Sequence, residues 1–76
     1  MSLEIKVKNT LNNFDDVSSD KFLEILNKIM LEFKSDLTVE YLKGKIQKII
    51  ELSSESEKKK QCKLLLPYYE WYLQGL

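Results

Sequence analysis

Arginine, histidine and alanine are absent from this 76-residue chain, and all twelve basic residues are lysines. Without histidine there is no imidazole to move protons near neutral pH and none of the commonest metal ligand. Without arginine there is no planar fork for bidentate recognition of carboxylate, phosphate or guanine. Cys62 is the only thiol, which excludes an intramolecular disulfide and a zinc site built on several cysteines. One proline and two glycines leave no linker-like stretch and no glycine-rich loop to cradle phosphate. No apolar run approaches the roughly 20 residues of a membrane span, and Met1 to Lys8 lacks the apolar core of a secretory signal. A lone cysteine suits a reducing compartment, so the expectation is a single cytoplasmic domain covering residues 1–76.

What remains is a neutral chain, twelve lysines against twelve carboxylates, with 43% hydrophobic residues. That content supports a core, but a small one. A domain of this size buries about 60% of its unfolded surface, and one core supplies only about 3 to 5 kcal/mol. Completion by a partner or a second copy is therefore a reasonable expectation.

The apolar spacing predicts an all-α bundle of three firm helices plus a weaker N-terminal helix or extended arm. The first firm helix covers residues 19–34, capped by Ser18 or Ser19, with Phe22, Ile25, Leu26, Ile29, Met30 and Phe33 on one stripe and Glu24 paired with Lys28 outside. The second covers residues 38–52, capped by Thr38, with Val39, Leu42, Ile46, Ile49 and Ile50 inward. Gly44 lies on its outer side, either at a close approach or as a tolerated defect. The third covers residues 55–74. It opens on a Ser54/Glu57 capping box with Glu55 and Lys59 one turn apart, and it kinks or restarts at Pro67. Its inward stripe is Cys62, Leu65, Leu66, Tyr69 and Leu73. Residues 1–17 are ambiguous: Leu3, Ile5 and Val7 alternate as in a strand, whereas Leu3, Val7, Leu11, Phe14 and Val17 fit a helical stripe. A lone strand would need a second chain to pair with.

Little in these residues carries chemistry. Cys62 lacks a neighbouring base and lies on the inward stripe, as a small buried hydrophobe would. Asp15 and Asp16 are adjacent, so they do not converge on one substrate atom and read as helix-start or solvated residues. No catalytic residue, cofactor, metal site or small-molecule substrate is inferred, and the chain is not expected to be an enzyme.

The informative segment is residues 64–72, LLLPYYEWY. Leu64, Tyr68, Trp71 and Tyr72 form a second stripe beside the inward one, making the apolar arc wider than the roughly 100° a bundle helix needs. The N-terminal segment covers this surplus, or it meets a partner or second copy, since tyrosine and tryptophan anchor interfaces, or its rings stack on the bases of a single-stranded nucleic acid. The expected function is a non-catalytic interaction module, such as a small adaptor, inhibitor or accessory subunit. It would dock through Leu64, Tyr68, Trp71 and Tyr72 on another protein or on a second copy of itself. The alternative is a small nucleic-acid-binding regulator using Tyr41, Lys45 and Lys48 with Lys59 and Lys63.

Overall fold

The computed structural model describes residues 2–75. Among these the fold is all-helical: α1 (Leu3–Asn12), a 3-10 turn (Phe14–Asp16), α2 (Ser19–Met30), α3 (Asp36–Ile50), α4 (Glu55–Lys63) and α5 (Leu66–Leu73). Five helices thus stand where three firm ones and a weaker N-terminal helix or arm are expected.

Four of the five start the same way. The hydroxyls of Ser2, Ser18, Ser35 and Ser54 accept the backbone N–H three residues on, from Ile5, Lys21, Thr38 and Glu57, at 3.2 to 3.4 Å. Each satisfies one donor that a helix N-terminus leaves without an intrahelical partner. The fifth start is different. α5 has no side-chain cap and carries Pro67 in its first turn, where the missing N–H costs nothing.

These caps correct the expected boundaries. Thr38 does not cap α3; its N–H is the donor that Ser35 receives, so the helix begins at Asp36. α2 ends at Met30 rather than residue 34, because the chain tightens there into shorter-range bonds, Glu32 N–H to Ile29 O and Phe33 N–H to Met30 O. Of the two outcomes expected at Pro67, a kink or a restart, the chain restarts, so residues 55–74 form two helices. The N–H groups of Leu64 and Leu65 bond back to Gln61 and Cys62, and Pro67 has no N–H to continue the ladder to Lys63. The break redirects the chain: α4 packs on α2 and α3, whereas α5 packs on α1 and α2.

α2 is the hub, touched by α1, α3, α4 and α5. Its buried residues are therefore more than one stripe: Phe22, Ile25, Leu26, Ile29 and Met30 are joined by Leu23. The stripe assigned to the last two helices survives the break at Leu64, with Cys62, Leu65 and Tyr69 buried and Leu66 and Leu73 half-buried against them. Ile50, expected inward, is 52% exposed at the end of α3.

Residues 3–12 resolve the N-terminal ambiguity in favour of a helix. Val7 is buried, Leu3, Leu11, Phe14 and Val17 pack against the core, and Ile5 faces out. That pattern has helical spacing, so the strand-like alternation carries no pairing. Thr10 is buried on the same helix and satisfies its hydroxyl by donating to the carbonyl of Lys6 at 2.8 Å.

Two polar contacts fix the entry to α2. The Glu55 carboxylate accepts both the backbone N–H and the hydroxyl of buried Ser19, at 2.8 and 2.6 Å. One turn on, the Lys59 ammonium donates to the carbonyls of Phe14 and Val17 and lies 4.0 Å from the centroid of the Phe14 ring. The expected Glu55–Lys59 pair is thus replaced: each side chain reaches across to the segment 14–19 instead of to the other.

Candidate interaction surface

Tyr68 and Tyr69 are adjacent on α5, so their side chains lie about 100° apart around it. Tyr69 turns fully inward. Its ring stacks on Phe22 with centroids 4.5 Å apart and planes within 4°, and its hydroxyl donates to the Phe22 carbonyl at 2.6 Å. Burial pushes this hydroxyl far above the ordinary tyrosine range.

Tyr68 turns to the neighbouring face and becomes the centre of an aromatic cluster. Trp71 meets it edge-on at 5.0 Å, Phe33 edge-on at 6.2 Å, and Tyr41 at 6.2 Å and a 33° tilt. Three elements supply these rings: the turn after α2 gives Phe33, the outer face of α3 gives Tyr41, and α5 gives Tyr68 and Trp71. Trp71 is 42% exposed and Tyr41 49%. Partial burial, then proximity to Tyr41, raises the pKa of Tyr68.

An open groove of about 310 Å³ runs along one side of the cluster, lined by Phe33, Lys34, Ser35, Thr38 and Trp71. Leu37, in the first turn of α3 one helical turn before Tyr41, is 85% exposed. Lys45, one turn after Tyr41, holds its ammonium 6.0 Å from the tyrosine centroid. Comparison with protein-family models, with curated proteins and with solved structures finds no match.

Of the four residues expected to bind a partner, the structure brings Tyr68 and Trp71 together and separates the others. Leu64 lies in the turn between α4 and α5, 65% exposed, and Tyr72 is half-buried against the core. Phe33 and Tyr41 join in their place. Phe33, the last residue of the stripe expected on the first firm helix, is half-buried against the core and also meets Tyr68. Because α2 stops at Met30, the turn that follows carries Phe33 to the side facing Tyr68. The Leu37 and Tyr41 spacing along the outer face of α3 is the signal that marks this surface in the sequence.

Of the residues of the nucleic-acid alternative, Tyr41, Lys45 and Lys48 share one side of α3. Lys45 and Lys48 line a groove with Ile49, Leu52, Glu57 and Gln61. Lys59 is engaged within the fold, its ammonium held by two backbone carbonyls. Lys63 is exposed at the end of α4.

Cys62 is fully buried, and burial raises its thiol pKa to about 11. Asp15 and Asp16 are exposed on the 3-10 turn, and no side-chain cap forms there. Among the described residues no group of three or more His, Cys, Asp and Glu is placed to hold a metal ion, and no helix is long and apolar enough to cross a membrane.

Proposed function

We propose that this chain is a non-catalytic protein–protein interaction module, a small adaptor, inhibitor or accessory subunit, docking through the aromatic cluster of Phe33, Tyr41, Tyr68 and Trp71. One observation carries the reading: rings from three separate elements converge at the edge of the core, Phe33 and Tyr68 half-buried against it and Trp71, Tyr41 and Leu37 substantially exposed. Partly buried aromatics are rigid, bring large apolar area at small entropic cost, and are enriched among residues that dominate binding energy. Contiguous apolar surface of this kind marks interaction sites in small domains.

In this mechanism a partner covers Trp71 and Tyr68, the apolar groove beside Phe33 and Thr38 takes one of its side chains, and the lysines form the rim. Trp71→Ala weakens binding by about 2 kcal/mol or more, with helical content retained. Titration of the parent and variant against a captured partner, with circular dichroism of both, decides the matter. Loss of the fold in the variant would assign Trp71 to the core and end the proposal. The nucleic-acid reading is retained only as an alternative, with Tyr41, Lys45 and Lys48 as its surface. It requires binding that falls steeply with salt and is abolished by reversing Lys45 and Lys48.

A further inference from the structure

We propose that the occupant of this surface is an acidic amphipathic segment of another protein, with apolar side chains along the aromatic cluster and carboxylates reaching Lys34 and Lys45. The inference rests on the interaction-module reading and supplies the chemistry of its partner.

The aromatic cluster has a lysine at each end. Lys34 lines the groove with Phe33 and Trp71, and Lys45 stands by the ring of Tyr41, while Tyr68 joins the two halves. Neither lysine makes an ion pair among the described residues, whereas Lys8, Lys21, Lys28 and Lys43 each have a carboxylate within 4 Å. Glu57 lines a second groove with Lys45 and Lys48 without pairing with either, and the carboxylates of α3 and α5 lie to the side of the rings. At about 100° per residue, Tyr41, Lys45 and Lys48 lie within about 60° of one another on α3, while Glu40 and Asp36 lie about 100° and about 140° from Tyr41. Glu40 is drawn to Lys43 at 3.9 Å. On α5, Glu70 lies nearly opposite Tyr68 around the helix.

A chain with zero net charge thus presents its aromatic face with a positive rim. Charge complementarity selects an acidic partner and repels a basic one. The apolar floor then selects a segment with aliphatic or aromatic side chains between its carboxylates, the pattern of an amphipathic helix laid in a groove.

The probe is a random-peptide library displayed on phage and selected on the full chain, with selected peptides then synthesised and titrated. The expected result is enrichment of peptides carrying Asp or Glu around apolar residues. Their affinity should fall about tenfold in the double variant K34E/K45E and weaken with added salt. Lys34 is exposed and Lys45 half-buried, and neither makes an ion pair among the described residues, so circular dichroism of this variant should match the parent. Selection of neutral or basic peptides that still lose binding in Trp71→Ala would overturn the acidic partner and leave the docking surface standing. Peptides that bind Trp71→Ala and Tyr68→Ala as well as the parent would overturn the docking surface too. Displacement of every selected peptide by oligothymidylate would overturn the proposal by assigning the lysines to phosphate.

Discussion

Replacing Tyr69 by phenylalanine removes one hydroxyl from the centre of the fold and nothing else. That hydroxyl donates to the carbonyl of Phe22 at 2.6 Å, with both residues fully buried. The acceptor is not orphaned by the change, because Phe22 lies inside α2 and its carbonyl keeps the helical N–H four residues on. The loss is therefore the net value of one neutral hydrogen bond, about 0.5 to 1.5 kcal/mol, without the larger cost of an unsatisfied buried group. In a domain this small, about 1 kcal/mol lowers Tm by roughly 4 to 8 °C. Tyr69→Leu removes the stack on Phe22 as well and leaves a cavity beside it, costing about 3 kcal/mol. That loss is comparable with the whole stability expected of one small core. Thermal and urea unfolding followed by circular dichroism reads all three chains. Tyr72→Phe is the control, since the Tyr72 hydroxyl makes no hydrogen bond among the described residues. If Tyr69→Phe is as stable as the Tyr72→Phe control, the buried bond contributes nothing and the reasoning fails.

Three further outcomes follow from the same packing. The Ser19 hydroxyl and then its backbone N–H hold Glu55 below the ordinary carboxylate range against the opposing effect of desolvation, with Lys58 and Lys59 adding less. Its contribution to stability is full above the unfolded glutamate value of about 4.3 and is lost as pH falls from there through the lower folded value. Unfolding midpoints measured across that window should flatten in Glu55→Gln, and an unchanged profile would refute the contact. Cys62, buried with its thiol raised to about 11, should react with a thiol reagent at neutral pH only as fast as the fold opens, and so accelerate with mild urea. A fast reaction independent of urea would show an exposed thiolate. A Cβ added at Gly44 meets no atom within 4 Å, so Gly44→Ala should gain about 1 kcal/mol of helix stability in urea titrations. A loss instead would mean that the outer face of α3 is crowded.

Several of these features are legible in the residues, and others depend on contacts between distant segments. The stripe on α2 is readable because its apolar spacing is regular and its flanks are charged. Leu23 falls outside that stripe and is buried only because four other helices surround α2. The N-terminal helix is hard to read because Leu3, Ile5 and Val7 satisfy two periods at once and its asparagines are weak helix formers. Pro67 announces a change of direction, but only the Leu64 and Leu65 bonds to Gln61 and Cys62 distinguish two helices from one bent helix. The surface divides in the same way. The crowding of aromatics after Leu64 singles out Tyr68 and Trp71 from sequence alone. The Leu37 and Tyr41 spacing marks an exposed apolar strip on α3, but that Phe33 and Tyr41 meet Tyr68 depends on the α2–α3 turn and on where the chain after Pro67 is laid, which no local pattern encodes.

Trp71 is the only tryptophan of the chain, so its emission reports on the aromatic cluster without interference. The most direct measurement is collisional quenching of that emission by iodide and by caesium, on protein shown by light scattering to be monomeric. An exposed indole with Lys34 in the adjoining groove predicts efficient quenching, stronger with iodide than with caesium, the difference shrinking in K34E/K45E. A blue-shifted Trp71 that neither ion reaches would place it in the core and contradict the account.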